Sequence, residues 1–345
     1  MQSLRFILSV ITIREVAKYA GVSVSTVSRV INDLPDVSQQ TRQKVHQVIE
    51  EYGYFPNVTA KTLKQAKTNI ICIVVKGTSN PFFVPIVEKI QQEIGKAKYI
   101  PLVHYIDESA DEVRTAISLV MEKKALGIVF LGGNPAARPK AFAKIKVPCV
   151  LVTLSAQGLA HRDVSSVSVN DFEAARQAID YVIANGHKEI AILGGRRLAR
   201  DLVWERFTGA KQSIADHGLT FNEDLYIESM FTLKDAHAAM SRVLSAGRPA
   251  FTALFAMSDI MAIGAVRAIF DRGFRVPEDI SVIGFDGIEM ARYYNPTLTT
   301  VRQPAEEIAQ YSADLIIQNI RGVNPEQVIV LDTKIIAGSS VSKRF

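Results

Sequence analysis

Cysteine is almost missing. The 345 residues hold two, Cys72 and Cys149, too few for a disulfide framework or a cysteine-based metal cluster and in keeping with a reducing, cytoplasmic setting. Long apolar runs are absent too, since none approaches the roughly 20 residues that a membrane-spanning helix needs. The opening MQSLRFILSV carries one arginine, lacks a small-residue cleavage site and is short for a signal peptide, so residues 1–10 are expected to be either an appendage or an artefact of the chosen start codon. The six histidines, His46, His104, His161, His187, His217 and His237, show no metal-ligand spacing. His187, in NGHKEI, is expected to cap a helix end. LGG follows a strand pattern at Leu131–Gly133 and Leu193–Gly195, but neither extends to G-x-G-x-x-G. G-x-x-x-x-G-K-[ST] and G-x-S-x-G do not occur. No catalytic constellation emerges, so the chain is expected to be no enzyme and to need no cofactor or metal.

What is present is asymmetric charge. Residues 1–68 hold nine Lys/Arg against five Asp/Glu, a net +4 of the whole chain's +5. A basic head on a nearly neutral body points to a polyanion-binding module fused to something else. In TIREVAKYAG, Thr12 and Glu15 have capping-box spacing, Val16, Ala17 and Ala20 form an apolar stripe, and Gly21 can end the helix. Ser23 then caps a second helix with Val22, Val27, Val30 and Ile31 inward. Val24, Ser25, Ser28 and Arg29 lie on or near its outer face. A third helix starts at Ser38, buries Val45, Val48, Ile49 and Tyr52, and stops at Gly53. Two short helices joined by a glycine turn, with a third beneath, make a helix-turn-helix. Small hydroxyl side chains let such a helix approach the major groove, where Arg29 can fork onto guanine.

TIREVAKYAGVSVSTVSRVIND and VSQQTRQKVHQVIEEYGYFPN resemble the head of the lactose-repressor/galactose-repressor family of bacterial transcription regulators, and the likeness continues through most of the chain. The resemblance implies double-stranded operator DNA as partner. It implies backbone contacts from Thr12, Ser23, Thr26, Asn32, Ser38, Thr41, Tyr54 and Asn57, and base reading by Val24, Ser25 and Arg29. The link NVTAKTLKQAKT is too short to hold a helix alone. The resemblance makes it a hinge helix that orders on DNA and pairs with its mate in the minor groove. Leu63 would be the wedge, with Lys61 and Lys64 meeting phosphates.

Beyond residue 68 apolar runs such as IICIVV, GIVFLGG, EIAILGG and ISVIGFD alternate with amphipathic helices, the pattern of parallel sheets covered on both faces. Two such series suggest two lobes with a cleft at the carboxyl ends of the strands. The expected fold is a small all-α helix-turn-helix head (1–57), a hinge (58–68) and an α/β two-lobed body resembling periplasmic binding proteins. Its two parallel, doubly wound sheets are assigned as an N-lobe of 69–168 and 299–331 and a C-lobe of 169–298 and 332–345.

The resemblance also implies an effector site. Phe82, Phe83 and Phe231 supply aromatic faces, Arg206 forks onto ring hydroxyls, Asp286 accepts from two hydroxyls, and Gln303 contacts the ligand from the crossover region. Two positions depart from the pattern of sugar-sensing members. Thr153 stands where aspartate is frequent, and Ser258 where asparagine is, with Asp259 beside it as expected. The expected function is a dimeric, ligand-controlled repressor responding to a sugar or sugar derivative. The alternative is a non-sugar or anionic co-repressor, purine-like or a sugar phosphate. An enzyme or a transport-type binding protein comes third. TKIIAGSSVSKRF at the end lacks the leucine heptads of tetramerising members, so a dimer is expected.

Overall fold

The structure is a computed structural model that describes residues 11–31, 34–52, 54, 68–77, 80–157, 159, 164–197, 201–323 and 327–344. It divides into two units, 1–68 and 69–345. Among the described residues no helix is long and apolar enough to cross a membrane.

The head consists of α1 (Ile13–Ala20), α2 (Val24–Ile31) and α3 (Gln39–Tyr52). Thr12 and Glu15 form the reciprocal capping box, and Gly21 takes φ +67°, which turns the chain from α1 towards α2 without strain. The Oγ atoms of Ser23 and Ser38 accept from the backbone N–H of Thr26 and Thr41 at 3.1 and 3.3 Å and start the other two helices. Val16, Ala17, Val27, Val30, Val45, Val48 and Tyr54 form the core. Tyr52 does not join it. It is 46% exposed and stacks on Tyr19 at 4.7 Å, so the apolar periodicity of α3 ends at Ile49.

In the body the first sheet has the strand order β11-β5-β4-β3-β1-β2. Its strands are β1 (Ile70–Lys76), β2 (Ile100–Ile106), β3 (Gly127–Leu131), β4 (Cys149–Val152), β5 (Val164–Val169) and β11 (Val328–Leu331), all parallel. The second repeats the pattern as β12-β10-β9-β8-β6-β7. It comprises β6 (Ile190–Gly194), β7 (Tyr226–Glu228), β8 (Ala253–Ala256), β9 (Ser281–Asp286), β10 (Thr299–Arg302) and β12 (Lys334–Ile336). Only the edge strand β12 runs antiparallel there. β1, β3, β4, β6 and β8 are buried almost throughout, as strands covered by helices on both faces must be.

One expected boundary moves. Thr299–Arg302 pairs with β9 in the second sheet, so these residues belong to the C-lobe. The chain returns to the first sheet only at Gln303–Pro304, ahead of the helix Ala305–Arg321 that covers β3, β4 and β5. The other two crossings fall between β5 and the helix Asp171–Ala184, and between β11 and β12.

In each sheet the order reverses beside the first strand of its series, between β1 and β3 and between β6 and β8. In open α/β sheets such switch points leave a crevice at the carboxyl ends of the strands.

Candidate functional site

On the head, Thr12, Ser23, Val24, Ser25, Arg29 and Ser38 are exposed, while Thr26 and Thr41 are half-buried. Ser23 Oγ lies 2.7 Å from Ser25 Oγ and 2.8 Å from Thr26 Oγ1, and Ser38 Oγ 2.8 Å from Thr41 Oγ1. The hydroxyls are clustered and prepositioned, one donating to the other in each pair, and a rotation of either O–H turns it to an outside acceptor. Arg29 holds Asp36 at 2.9 Å with both side chains in solvent. Tyr54, expected to contact the DNA backbone, is buried in the head core and burial pushes its phenol up. Asn32, Asn57, Lys61, Leu63 and Lys64 lie outside the described residues.

In the body, a cavity of about 300 Å³ opens where the two sheets' carboxyl ends meet. It receives Lys76 at the end of β1 and Gly77 after it, Gly132 after β3, Thr153 after β4, Gly195 after β6, Ser229 after β7, Asp286 at the end of β9 and Gln303 after β10. Of the expected effector residues the fold brings together Phe82, Phe83, Thr153, Arg206, Phe231, Asp286 and Gln303. Thr153 and Asp286 have φ of +70° and +118°. Thr153 is β-branched and Asp286 lies beyond the left-handed well that aspartate tolerates, and such strain collects where a site over-determines the backbone.

Two expected residues are not in the cavity lining. Ser258 turns back to cap the helix Asp259–Asp271, accepting from Met261 N at 3.3 Å. Asp259 is fully buried, taking Thr300 Oγ1 at 2.6 Å and Ile288 N at 2.8 Å. Burial, then the charge of Asp286, raises its carboxyl well above the ordinary range, against the pull of those donors. It ties the start of the loop after β9 to β10 through Ile288 and Thr300. His187 also departs from expectation. Its ring lies buried between Thr252 Oγ1 (2.9 Å) and the Ser342 carbonyl (3.1 Å) and caps no helix, and burial lowers its pKa.

Arg206 is buried, with its guanidinium 3.6 Å above the Phe285 ring. Nε donates to Asp171 Oδ1 at 2.8 Å and one Nη to the Met257 carbonyl, which leaves the other Nη for the cavity. Asp286 Oδ2 accepts from Asn80 Nδ2 at 3.0 Å, and Oδ1 from Gln303 Nε2 at 2.8 Å. Burial lifts Asp286 to about 6, Arg206 and the two amides pulling the other way and Asp171 adding to the rise. Gln303 Oε1 is buried and has no donor among the described residues.

Sequence reasoning missed the rest of the lining: Lys76, Asn80, Glu108, Asn134, Arg196 and Asp201 among others. Lys76 is paired with buried Glu112 at 2.6 Å, and Glu112 also accepts from Asn134 N at 3.0 Å. Burial raises Glu108, helped by Asp107 and Asp235, and raises Asp201. The Asn-Pro dipeptide ahead of Phe82 was the one local signal available, since it marks a turn at a strand's carboxyl end. The Lys76–Glu112 pair spans 36 residues and left none.

A second cavity of about 240 Å³, lined by Arg248, Phe251, Phe274 and Arg344 among others, sits at the amino ends of β6, β8 and β9. That is the wrong end of an α/β sheet for a ligand crevice, and its arginines are exposed.

A three-helix DNA-binding head and a two-lobed α/β body with a polar, aromatic-lined interlobe cleft together define a ligand-responsive transcription regulator. Residues 12–57 match the family described as bacterial regulatory proteins, lacI family, and residues 179–341 match a periplasmic binding protein-like domain. The HTH-type transcriptional regulator MalR of Clostridium butyricum is 37% identical over 95% of this chain and 98% of its own. The HTH-type transcriptional regulator DegA of Bacillus subtilis is 32% identical over 96% and 98%. Among solved structures, a transcriptional regulator CelR–cellobiose complex superposes with TM-score 0.70 at 29% identity, covering 96% of this chain and 99% of that one. A lac repressor dimer bound to operator and the anti-inducer ONPF gives TM-score 0.73 at 26% identity, with the same coverage. The chain belongs to the lacI family of bacterial regulatory proteins.

Proposed function

We propose that this regulator is a repressor that binds a palindromic operator as a dimer, and that a neutral, hydroxyl-rich ligand, a sugar or sugar derivative, sets its affinity from the interlobe cleft. The observation that carries the ligand class is the pairing of charges. Of the lining cations, Lys76 and Arg206 are already neutralised by Glu112 and Asp171, which leaves only the exposed Arg196 without an ion pair among the described residues. The lining carboxylates Glu108, Asp201 and Asp286 have no ion-pair partner among the described residues, and Gln303 Oε1 is an acceptor in want of a donor. Such a surface favours a ligand that donates hydrogen bonds and disfavours one that brings negative charge. Phe82, Phe83 and Phe231 offer apolar faces to a ring, as pockets of this kind do. The neighbour solved with cellobiose supports the same class.

Dimerisation is supported by the need of a symmetric operator for a two-fold protein and by the lac repressor dimer on its operator. A thermal-shift screen tests the ligand class. Maltose, cellobiose and ribose are set against glucose 6-phosphate and hypoxanthine. Stabilisation by a neutral sugar is expected. Stabilisation by the phosphate ester or the purine alone would contradict the reading and restore the anionic or purine-like co-repressor.

A further inference from the structure

Asn80 lies on the N-lobe between β1 and the helix Phe83–Lys96, yet its side chain reaches a carboxylate 206 residues away on the C-lobe. Its amide has no freedom of orientation. Oδ1 accepts from Phe82 N at 3.0 Å, so Nδ2 must be the end that faces Asp286. Asp286 thus takes one amide from each side: Asn80 on Oδ2 and Gln303, at the crossover between lobes, on Oδ1. The helix Phe83–Lys96 has no other side-chain cap, since Phe82 stands at its N-cap, so the Asn80 oxygen is what orders its entry. Phe82 and Phe83, held by that turn, are themselves in the cleft lining.

We propose that Asn80 is a positioning residue of the effector site, bridging the ligand-facing carboxylate of Asp286 to the aromatic turn of the opposite lobe, so that lobe closure and ligand affinity depend on it. The proposal rests on the reading of the cleft as an effector site. The bond leaves each Asp286 oxygen a further lone pair for a ligand hydroxyl, because a carboxylate has about four acceptor sites. It fixes the carboxylate against rotation, and it fixes the distance between the two halves of the cleft.

The test uses the full chain and three variants. Asn80→Ser keeps a capping oxygen for Phe82 N but is too short to reach Asp286. Asn80→Asp keeps the cap and sets a second carboxylate against the first. In Asn80→Asp with Asp286→Asn the cross-lobe bond re-forms with donor and acceptor exchanged. Amide hydrogen exchange of the ligand-free proteins, read over 82–90 and 286–303, reports local opening. Exchange should rise at least fivefold in Asn80→Asp and return towards wild type in the double variant, a coupling that independent sites do not show.

Binding of maltose, cellobiose and ribose is followed in parallel through Trp204, the only tryptophan, which stands next to lining residues Leu202 and Val203. The sugar that binds wild type should bind at least tenfold more weakly to Asn80→Asp and about threefold more weakly to Asn80→Ser, with both variants melting near wild type. Exchange unchanged in Asn80→Asp, or no recovery in the double variant, would overturn the proposal. A wild type that binds none of the sugars while the coupling persists would overturn the effector reading. The bond would then be purely structural, which contradicts the role assigned to Asn80.

Discussion

Arg29 is the proposed base-reading residue of the head. It projects from α2 with Asp36 as its one ion-pair partner among the described residues, both side chains half in solvent. An exposed pair of this kind is cheap to break, so the guanidinium can be released to a guanine edge. Arg29→Ala should cost about 1–3 kcal/mol on the preferred operator and relax preference at one base pair. Equal losses on specific and random DNA would reduce Arg29 to a phosphate contact. Asp286 gives a pH dependence whose sign follows from its raised pKa. Burial disfavours its ionised form, so the folded state gains relative stability from the proton at low pH and loses it as pH rises through about 6. A sugar hydroxyl donating to the carboxylate needs the ionised form. Affinity should therefore be level above about pH 7 and fall about tenfold per unit below about pH 5.5. Titrations in Asp286→Asn should be weak and flat across the same range. A wild-type affinity that rises on acidification would show that Asp286 meets an acceptor.

At the scale of elements, close approach and hinge length decide behaviour. The helices Asp171–Ala184 and Leu202–Asp216 pack with Gly209 against the backbone, where a Cβ would sit 2.1 Å from the Phe172 carbonyl oxygen. Gly209→Ala should therefore force the helices apart and destabilise the body by about 1–3 kcal/mol, read by thermal denaturation. An unchanged melting point would mean that the helix pair slides freely. Leu63 lies outside the described residues, and its role rests on the family likeness. Leu63→Ala should weaken operator binding severely while leaving sugar affinity of the free protein unchanged. A mutant that still responds to sugar like wild type would exclude the wedge. Much of this architecture was legible, because strands buried on both faces, such as β3 and β8, are apolar throughout. Thr299–Arg302 was placed in the wrong lobe because its partner strand is chosen by non-local packing that no local pattern records. Ser258 misled for a different reason. A serine after a strand can face a cleft or cap the next helix, and here capping won. Tyr52 fitted the apolar period of α3, but its ring found Tyr19 at the surface. Asn80 was invisible as a site residue because its partner lies in the other lobe.

For the whole molecule, head and cleft matter only if they communicate. A dimer is expected by light scattering at micromolar concentration, and a tetramer would contradict the account. Each of its ligands must then change the affinity of the other by the same factor, since coupling between binding sites is reciprocal. The deciding measurement is the affinity of full-length protein for DNA selected from a random pool, with and without saturating amounts of the sugar that stabilises it. The account predicts a change of about 5- to 150-fold, the range of ordinary allosteric coupling. It also predicts a steep inverse dependence on salt, from phosphate neutralisation by the basic head. DNA affinity that stays the same while the sugar demonstrably occupies the cleft would contradict it.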